Sequence, residues 1–169
     1  ATGRIRFYGT ATWTAYRSSP QAPDALSLME VEAIAREIGG PDHRFRFVQL
    51  PYNLAMPEAA LRRNQLRGEE WGTVLEVAED LGITVWASAS LMQGRLLRSW
   101  PLWLRRLFPE GLSEAQRALQ FVRSTPGITT ALVGMSRLAH VEHNLALMQQ
   151  PPLPPEAIRT ILNALGTSR

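Results

Sequence analysis

Apolar residues along this chain fall into two alternating patterns. Short runs dense in β-branched and aromatic residues occupy positions 5–10, 45–50, 83–87 and 128–133. Between them, apolar residues recur every three or four positions behind polar caps. Ser27 with Glu30 opens a helix carrying Leu28, Val31, Ile34, Ala35 and Ile38, which stops at Gly39-Gly40-Pro41. Thr73 with Glu76 opens a second, with Val74, Leu75, Val77, Ala78 and Leu81, ending at Gly82. Ser113 with Gln116 opens a third, whose Ala115, Leu119 and Val122 face inward before Pro126-Gly127. Ser136 is expected to cap a fourth, with Val141, Leu145 and Met148 on one face, and the prolines at 151–155 turn the chain into a last amphipathic helix, 156–165.

Strands that alternate with helices across short joints predict right-handed crossovers and a parallel sheet. The last three strands, FRFVQLPYN, ITVWASAS and ITTALVGMS, each finish in a polar turn containing Gly, Asn or Ser. That layout predicts an α/β chain of four parallel β/α units, half of a TIM-type (β/α)8 barrel, in which ligands bind at the C-terminal strand ends. An open doubly wound sheet is the alternative, although no GxGxxG follows any strand. At 169 residues the chain is shorter than a full barrel and is read as one domain, 1–169. The segment 54–71 is long for a loop, and helical turns over 58–66 are expected to fill part of it.

Composition narrows the chemistry. All 18 basic side chains are arginine, and there is no lysine or cysteine. Disulfide and thiolate chemistry are thereby excluded. The clusters Arg62, Arg63, Arg67 and Arg105, Arg106 lie among carboxylates or Trp and Leu without a groove-reading motif, so they are read as solvated faces and nucleic acid is not implied. No apolar run is long enough to span a bilayer and no signal peptide is evident, which suggests a cytoplasmic protein with no membrane partner. His140 and His143 share a helical spacing but lack a third ligand, so metal binding is not supported. Ser88 and Ser90 have no GxSxG setting. His43, in a helix-to-strand loop, is expected at the surface, and the Trp/Leu-rich stretch 100–108 is expected to pack over the rim.

Several motifs carry a resemblance. IRFYGTATW, VQLPYNL, GITVWASASLMQGRLL and ALVGMSRLAHVEHNLAL are similar, in order and almost end to end, to the fifth to eighth strands of the aldo-keto reductase family with their cofactor loops. The resemblance implies an oxidoreductase that reduces a small aldehyde or ketone with NADPH. It implies that Gln49 meets the nicotinamide carboxamide, that Leu91, Gln93, Gly94 and Arg95 cover the pyrophosphate, that Gly134, Met135, Ser136 and Arg137 hold the 2′-phosphate at a helix N-terminus, and that Asn144 contacts adenine.

The departures matter equally. Ala11-Thr12 stands where the family has Ser-Asn, Ser88 stands where an aromatic often stacks on the nicotinamide, His140 replaces an Arg common near the 2′-phosphate and is counted with the cofactor-binding residues on that ground, and His143 replaces a Glu. NAD is therefore possible beside NADP. The family's catalytic Asp, Tyr, Lys and His all precede the region matched here, so none of Tyr8, Tyr16 and Tyr52 is nominated as proton donor. Three readings follow: a fragment supplying the cofactor half of a reductase, favoured by the start at Ala1 without methionine; a small nucleotide-binding or regulatory module; or a half-barrel that is closed by a missing N-terminal half or by self-association.

Overall fold

The computed structural model describes residues 3–98 and 100–167, so Ala1 lies outside the described residues. The elements run β1 (Tyr8–Ala11), α1 (Leu28–Gly39), β2 (Phe45–Pro51), α2 (Glu58–Leu61), β3 (Gln65–Arg67), β4 (Glu70–Gly72), α3 (Val74–Asp80), β5 (Thr84–Ser88), α4 (Leu102–Arg105), α5 (Glu114–Ser124), β6 (Ile128–Ala131), α6 (Leu138–Leu145) and α7 (Pro155–Thr167). The main sheet is parallel, in the order β1-β2-β5-β6. Each new strand adds on the same side of the last, without the reversal that defines a doubly wound sheet. This is the winding of half a barrel.

Period-2 burial in the strands explains the layering. Val48, Leu50, Val85, Ala87 and Ile128 are buried against the helices, together with Leu28 and Ala35 of α1, Val74, Val77 and Ala78 of α3, and Phe121 and Val122 of α5. Ile158 and Ile161 of α7 complete this core. The opposite face of the sheet carries Phe47, Gln49 and Trp86, which remain half-exposed. Gly9 lets β1 come this close to β2, because a Cβ there would sit 2.0 Å from the Phe47 carbonyl oxygen. The β1–β2 register shifts at the same place, between Tyr8 and Gly9.

The capping signals decided the helix starts. Thr73–Glu76 and Ser113–Gln116 form complete capping boxes, and Ser27 accepts from the Glu30 amide. The fourth start differs from expectation. Arg137, not Ser136, is the N-cap of α6 and makes no side-chain cap bond. The helix also gives way to a 3-10 turn, Ala146–Gln149, which buries Leu147 and leaves Leu145 and Met148 exposed instead of on a packed stripe.

Three further expectations change. Strand β1 begins at Tyr8, and Ile5 and Phe7 lie exposed before it, because nothing among the described residues covers that edge. The stretch after Leu61 is an antiparallel hairpin, β3–β4, instead of continued helix: Gln65 is drawn inward to accept from the Leu28 amide and donate to the Leu26 carbonyl. His43 is buried rather than on the surface, with its Nε2 3.0 Å from a Glu32 carboxylate oxygen.

Candidate functional site

Four parallel strands in register place one residue from each in a row across the uncovered face: Ala11, Gln49, Trp86 and Thr130. A cavity of about 300 Å³ opens over this face, lined in part by Gly9, Ala11, Phe47, Gln49 and Trp86. Its floor is an aromatic ladder. The Phe7 and Phe47 rings meet edge to face at 6.2 Å, and Phe47 lies 5.0 Å from Trp86. Gln49 uses its backbone in the sheet and accepts from the Thr12 amide at 3.0 Å, while its carboxamide makes no hydrogen bond among the described residues. A side chain with both a donor and an acceptor is thus offered to the cavity unspent. The Thr12 hydroxyl, just past the end of β1, is buried without a partner among the described residues.

The segment after β5 is the most strained in the described chain. Ala89, Met92 and Gln93 have φ of 54°, 46° and 54°, and they are the only non-glycine residues with positive φ among the described residues. Gly94 follows at 83°. Each left-handed L-residue costs on the order of 1–2 kcal/mol, so surrounding structure must hold this conformation. Asn53, fully buried at the end of β2, does so by donating its Nδ2 to the Ala89 carbonyl at 2.9 Å. The Met92 and Gly94 amides then close onto the Ala89 and Leu91 carbonyls at 2.8 and 2.9 Å, forming the 3-10 turn Met92–Leu97.

A second cavity, about 390 Å³, lies between this turn, the start of α5 and the segment from Gly134 into α6. Leu91 and Leu97 form one wall, and His140, His143 and Asn144 form another. Gln116 fixes the two helices. Its Oε1 accepts from the Ser113 amide within the capping box, and its Nε2 donates to the His143 carbonyl at 2.8 Å. Glu114, on the α5 side, is held by Arg105 at 2.6 Å and approached by Arg117 at 3.7 Å.

Of the residues nominated from sequence, Leu91, Gly134, His140 and Asn144 are therefore brought to one cavity, and Gln49 lines the other. Gln93, Arg95, Met135, Ser136 and Arg137 are exposed, and Gly94 half-exposed, without lining either space. A cavity of about 440 Å³ between α1 and the β3–β4 hairpin holds none of the nominated residues. Asn53 and Gln116 were missed as positioning residues. Both are polar residues that carry another apparent role in sequence, a strand-end Asn and a helix cap.

Two of the three tyrosines are enclosed in the core. Tyr52 is fully buried and pairs with Thr125 at 3.0 Å, and Tyr16 is fully buried and pairs with Thr10 at 2.8 Å. Burial pushes both phenols above their ordinary pKa, against the smaller effect of those hydrogen bonds. Tyr8 packs on Phe45 with ring centroids 5.8 Å apart. Arg63 and Arg67 pair with Glu76 and Asp80, as members of a solvated face would. Trp100, Leu104 and Phe108 are buried in the rim segment, with Leu102 and Trp103 left outside. No group of three His, Cys, Asp or Glu able to hold a metal ion occurs among the described residues.

No protein-family model matches the sequence, and no curated protein matches it. Solved structures do. An aldo-keto reductase from Klebsiella pneumoniae in complex with NADPH superposes with a TM-score of 0.66 at 19% identity, over 97% of this chain and 49% of that one. An aldo/keto reductase from the same organism, in complex with NADP and acetate, gives 0.66 at 21% identity, over 97% and 50%. The holo form of an aldo-keto reductase from Bacillus halodurans gives 0.57 at 18% identity, over 95% and 50%. The chain spans about half the length of these structures. Its fold is that of one half of an aldo-keto reductase barrel.

Proposed function

We propose that this chain is the dinucleotide-binding half, a single domain over 1–169, of a cytoplasmic oxidoreductase that reduces small aldehydes or ketones with NADPH. The observation that carries the reading is the strained turn at 89–94, because backbone strain of this kind persists where a ligand site requires it. The turn borders the cavity that also takes in Gly134, His140 and Asn144, and it follows the C-terminal end of β5, the end at which such barrels bind ligands. The chain's own residues fit the group. Gln49 offers a free carboxamide for the nicotinamide amide; Leu91, Gln93, Gly94 and Arg95 present backbone and charge for the pyrophosphate; Gly134, Met135, Ser136 and Arg137 supply the start of α6 for the 2′-phosphate; and Asn144, with His140 beside it, faces the adenine space. When bound, the nicotinamide would supply the hydride.

This half holds and orients the cofactor and does not supply the proton. Its buried tyrosines are made weaker acids by burial, and it has no lysine to reverse that. The catalytic acid and the substrate pocket belong to a second half-barrel. Two open strand edges, β1 and β6, and an uncovered aromatic face support the need for that partner, either the other half of a longer protein or a second copy.

Fluorescence titration tests the reading, because Trp86 sits in the Gln49 cavity. Saturable quenching by NADPH in the purified chain is the expected result, with NADH as the comparison. Absence of any binding by either dinucleotide, both alone and with a barrel-completing partner, would refute it.

A further inference from the structure

The cavity of about 440 Å³ between α1 and the β3–β4 hairpin is left unused by the dinucleotide reading. Its volume lies within the range of small-molecule sites. Leu26, Met29, Leu66 and Trp71 give it apolar walls. Leu66 and Trp71 are register partners across the hairpin, so their side chains share one face. The Trp71 ring is exposed and packs on no other ring among the described residues.

The polar groups around this space are of one kind. Asn64 lines it and is only 7% exposed. Its Nδ2 donates to the Tyr16 carbonyl at 3.0 Å and to the Ser18 carbonyl at 2.7 Å. Both amide hydrogens are thus spent, and Oδ1 is left as an acceptor without a hydrogen bond among the described residues. Glu30 adds a carboxylate that makes no ion pair there, and Glu69 and Glu70 stand exposed on the adjoining hairpin. No basic residue lines the cavity, although the chain carries 18 arginines. Arg63 and Arg67, on either side of Gln65 and Leu66, are paired outward with Glu76 and Asp80. The amides that open α1 would favour an anion, but that of Leu28 is taken by the Gln65 Oε1 at 2.8 Å and that of Glu30 by the Ser27 hydroxyl at 3.3 Å.

A buried acceptor, an unpaired carboxylate and an aromatic face, with no cation of the chain's own among them, are what an organic cation needs. We infer that this cavity is a second ligand site, for a small organic amine with an apolar body: the ammonium meets the acceptors of Glu30 and Asn64 and the face of Trp71, and the body lies on Leu26, Met29 and Leu66. The site is built from the loops that follow β1 and β2, the start of α1 and the hairpin, and it uses none of the residues assigned to the dinucleotide. It therefore stands independently of that reading.

The experiment titrates 2-phenylethylamine into the full chain, with ligand-observed NMR as the readout and 2-phenylethanol as a probe of nearly the same shape without the charge. Wild type is compared with Glu30→Gln and Trp71→Leu, both at exposed positions where the fold is not at stake. The amine is expected to bind saturably in the millimolar range, and the alcohol about five- to tenfold more weakly. Each variant is expected to weaken the amine by about fivefold and to narrow its advantage over the alcohol. No saturable binding of the amine up to about 20 mM overturns the inference. So does an alcohol that binds as tightly as the amine, which would make the cavity a plain apolar cleft. Amine binding that neither substitution changes places the amine elsewhere on the chain and overturns it too.

Discussion

The side-chain amide of Asn53 donates to the carbonyl of Ala89 at 2.9 Å, tying the end of β2 to the first left-handed residue of the turn after β5. The Oδ1 of the same side chain accepts from the Ala55 amide, so one buried amide orders the exits of two neighbouring strands. Asn53→Ala removes both bonds and leaves the Ala89 carbonyl without this donor. The expected cost is about 1–3 kcal/mol, read as a lower thermal midpoint. Because the strained turn loses its anchor, NADPH affinity should fall as well. A variant that loses stability yet binds NADPH as tightly as wild type would show that Asn53 does not position the turn.

Gln49 and Tyr52 stand three residues apart and should behave in opposite ways. Gln49 presents an unbonded carboxamide to the inner cavity, so Gln49→Met should leave stability within about 0.5 kcal/mol of wild type. It should weaken NADPH binding roughly five- to tenfold, the worth of one hydrogen bond. Tyr52 is wholly enclosed, stacked on Phe121 at 5.4 Å and bonded to Thr125. Tyr52→Phe should therefore cost about 1 kcal/mol of stability and leave binding unchanged. Chemical denaturation and titration of both variants separate the site from the scaffold.

At the opposite end of the sheet, Glu32 is buried on α1 between Arg36 and His43. Burial works to raise its pKa, but hydrogen bonds from Arg36 and then His43 outweigh it and hold the carboxyl below the usual range. A group whose pKa is depressed on folding adds stability above its unfolded pKa, and that contribution is lost as the pH falls through the folded one. Glu32→Gln is thus expected to cost about 2 kcal/mol at pH 7, since a neutral amide gives up the charge-assisted part of the bonds to Arg36 and His43. The gap between wild type and variant should close progressively below about pH 4. Denaturation midpoints from pH 7 to pH 3 measure it, and a gap independent of pH would show that the pair is held by packing alone.

The sheet and its connections were legible because periodicity and caps are local. Thr73 with Glu76 and Ser113 with Gln116 announce helix starts that the structure keeps to the residue. What sequence could not reveal depends on contacts between distant segments. His43 looks like a loop residue until α1 brings Glu32 to it, and Gln65 looks helical until the chain turns it toward Leu28. Ser136 fits a cap by type, yet the chain enters α6 one residue later. The candidate site was half legible in the same sense. A Gly after Gln93 points to a tight turn, but the run of left-handed residues from Ala89 to Gly94 and its tether at Asn53 exist only in the fold.

The uncovered face makes the last prediction. Phe7, Phe47 and Trp86 form a continuous aromatic ladder on the inner side of the sheet, and Trp13 just beyond β1 is 60% exposed. In a closed barrel such inward residues would be packed in layers. Here they meet solvent, and the flanks are equally bare: Ile38 on α1 is 83% exposed, and Leu138 on α6 is 72% exposed. Apolar surface arranged around two unpaired parallel edges favours association. Sedimentation of the isolated chain at tens of micromolar should therefore give a mass above the 18.9 kDa of one copy. Phe7→Lys, which sets a charge beside the β1 edge, should shift the distribution toward monomer without changing helical content. A monomer at every concentration would remove self-closure as the way this sheet is covered, and would leave a distinct complementary half-barrel as the remaining form of the proposed partner.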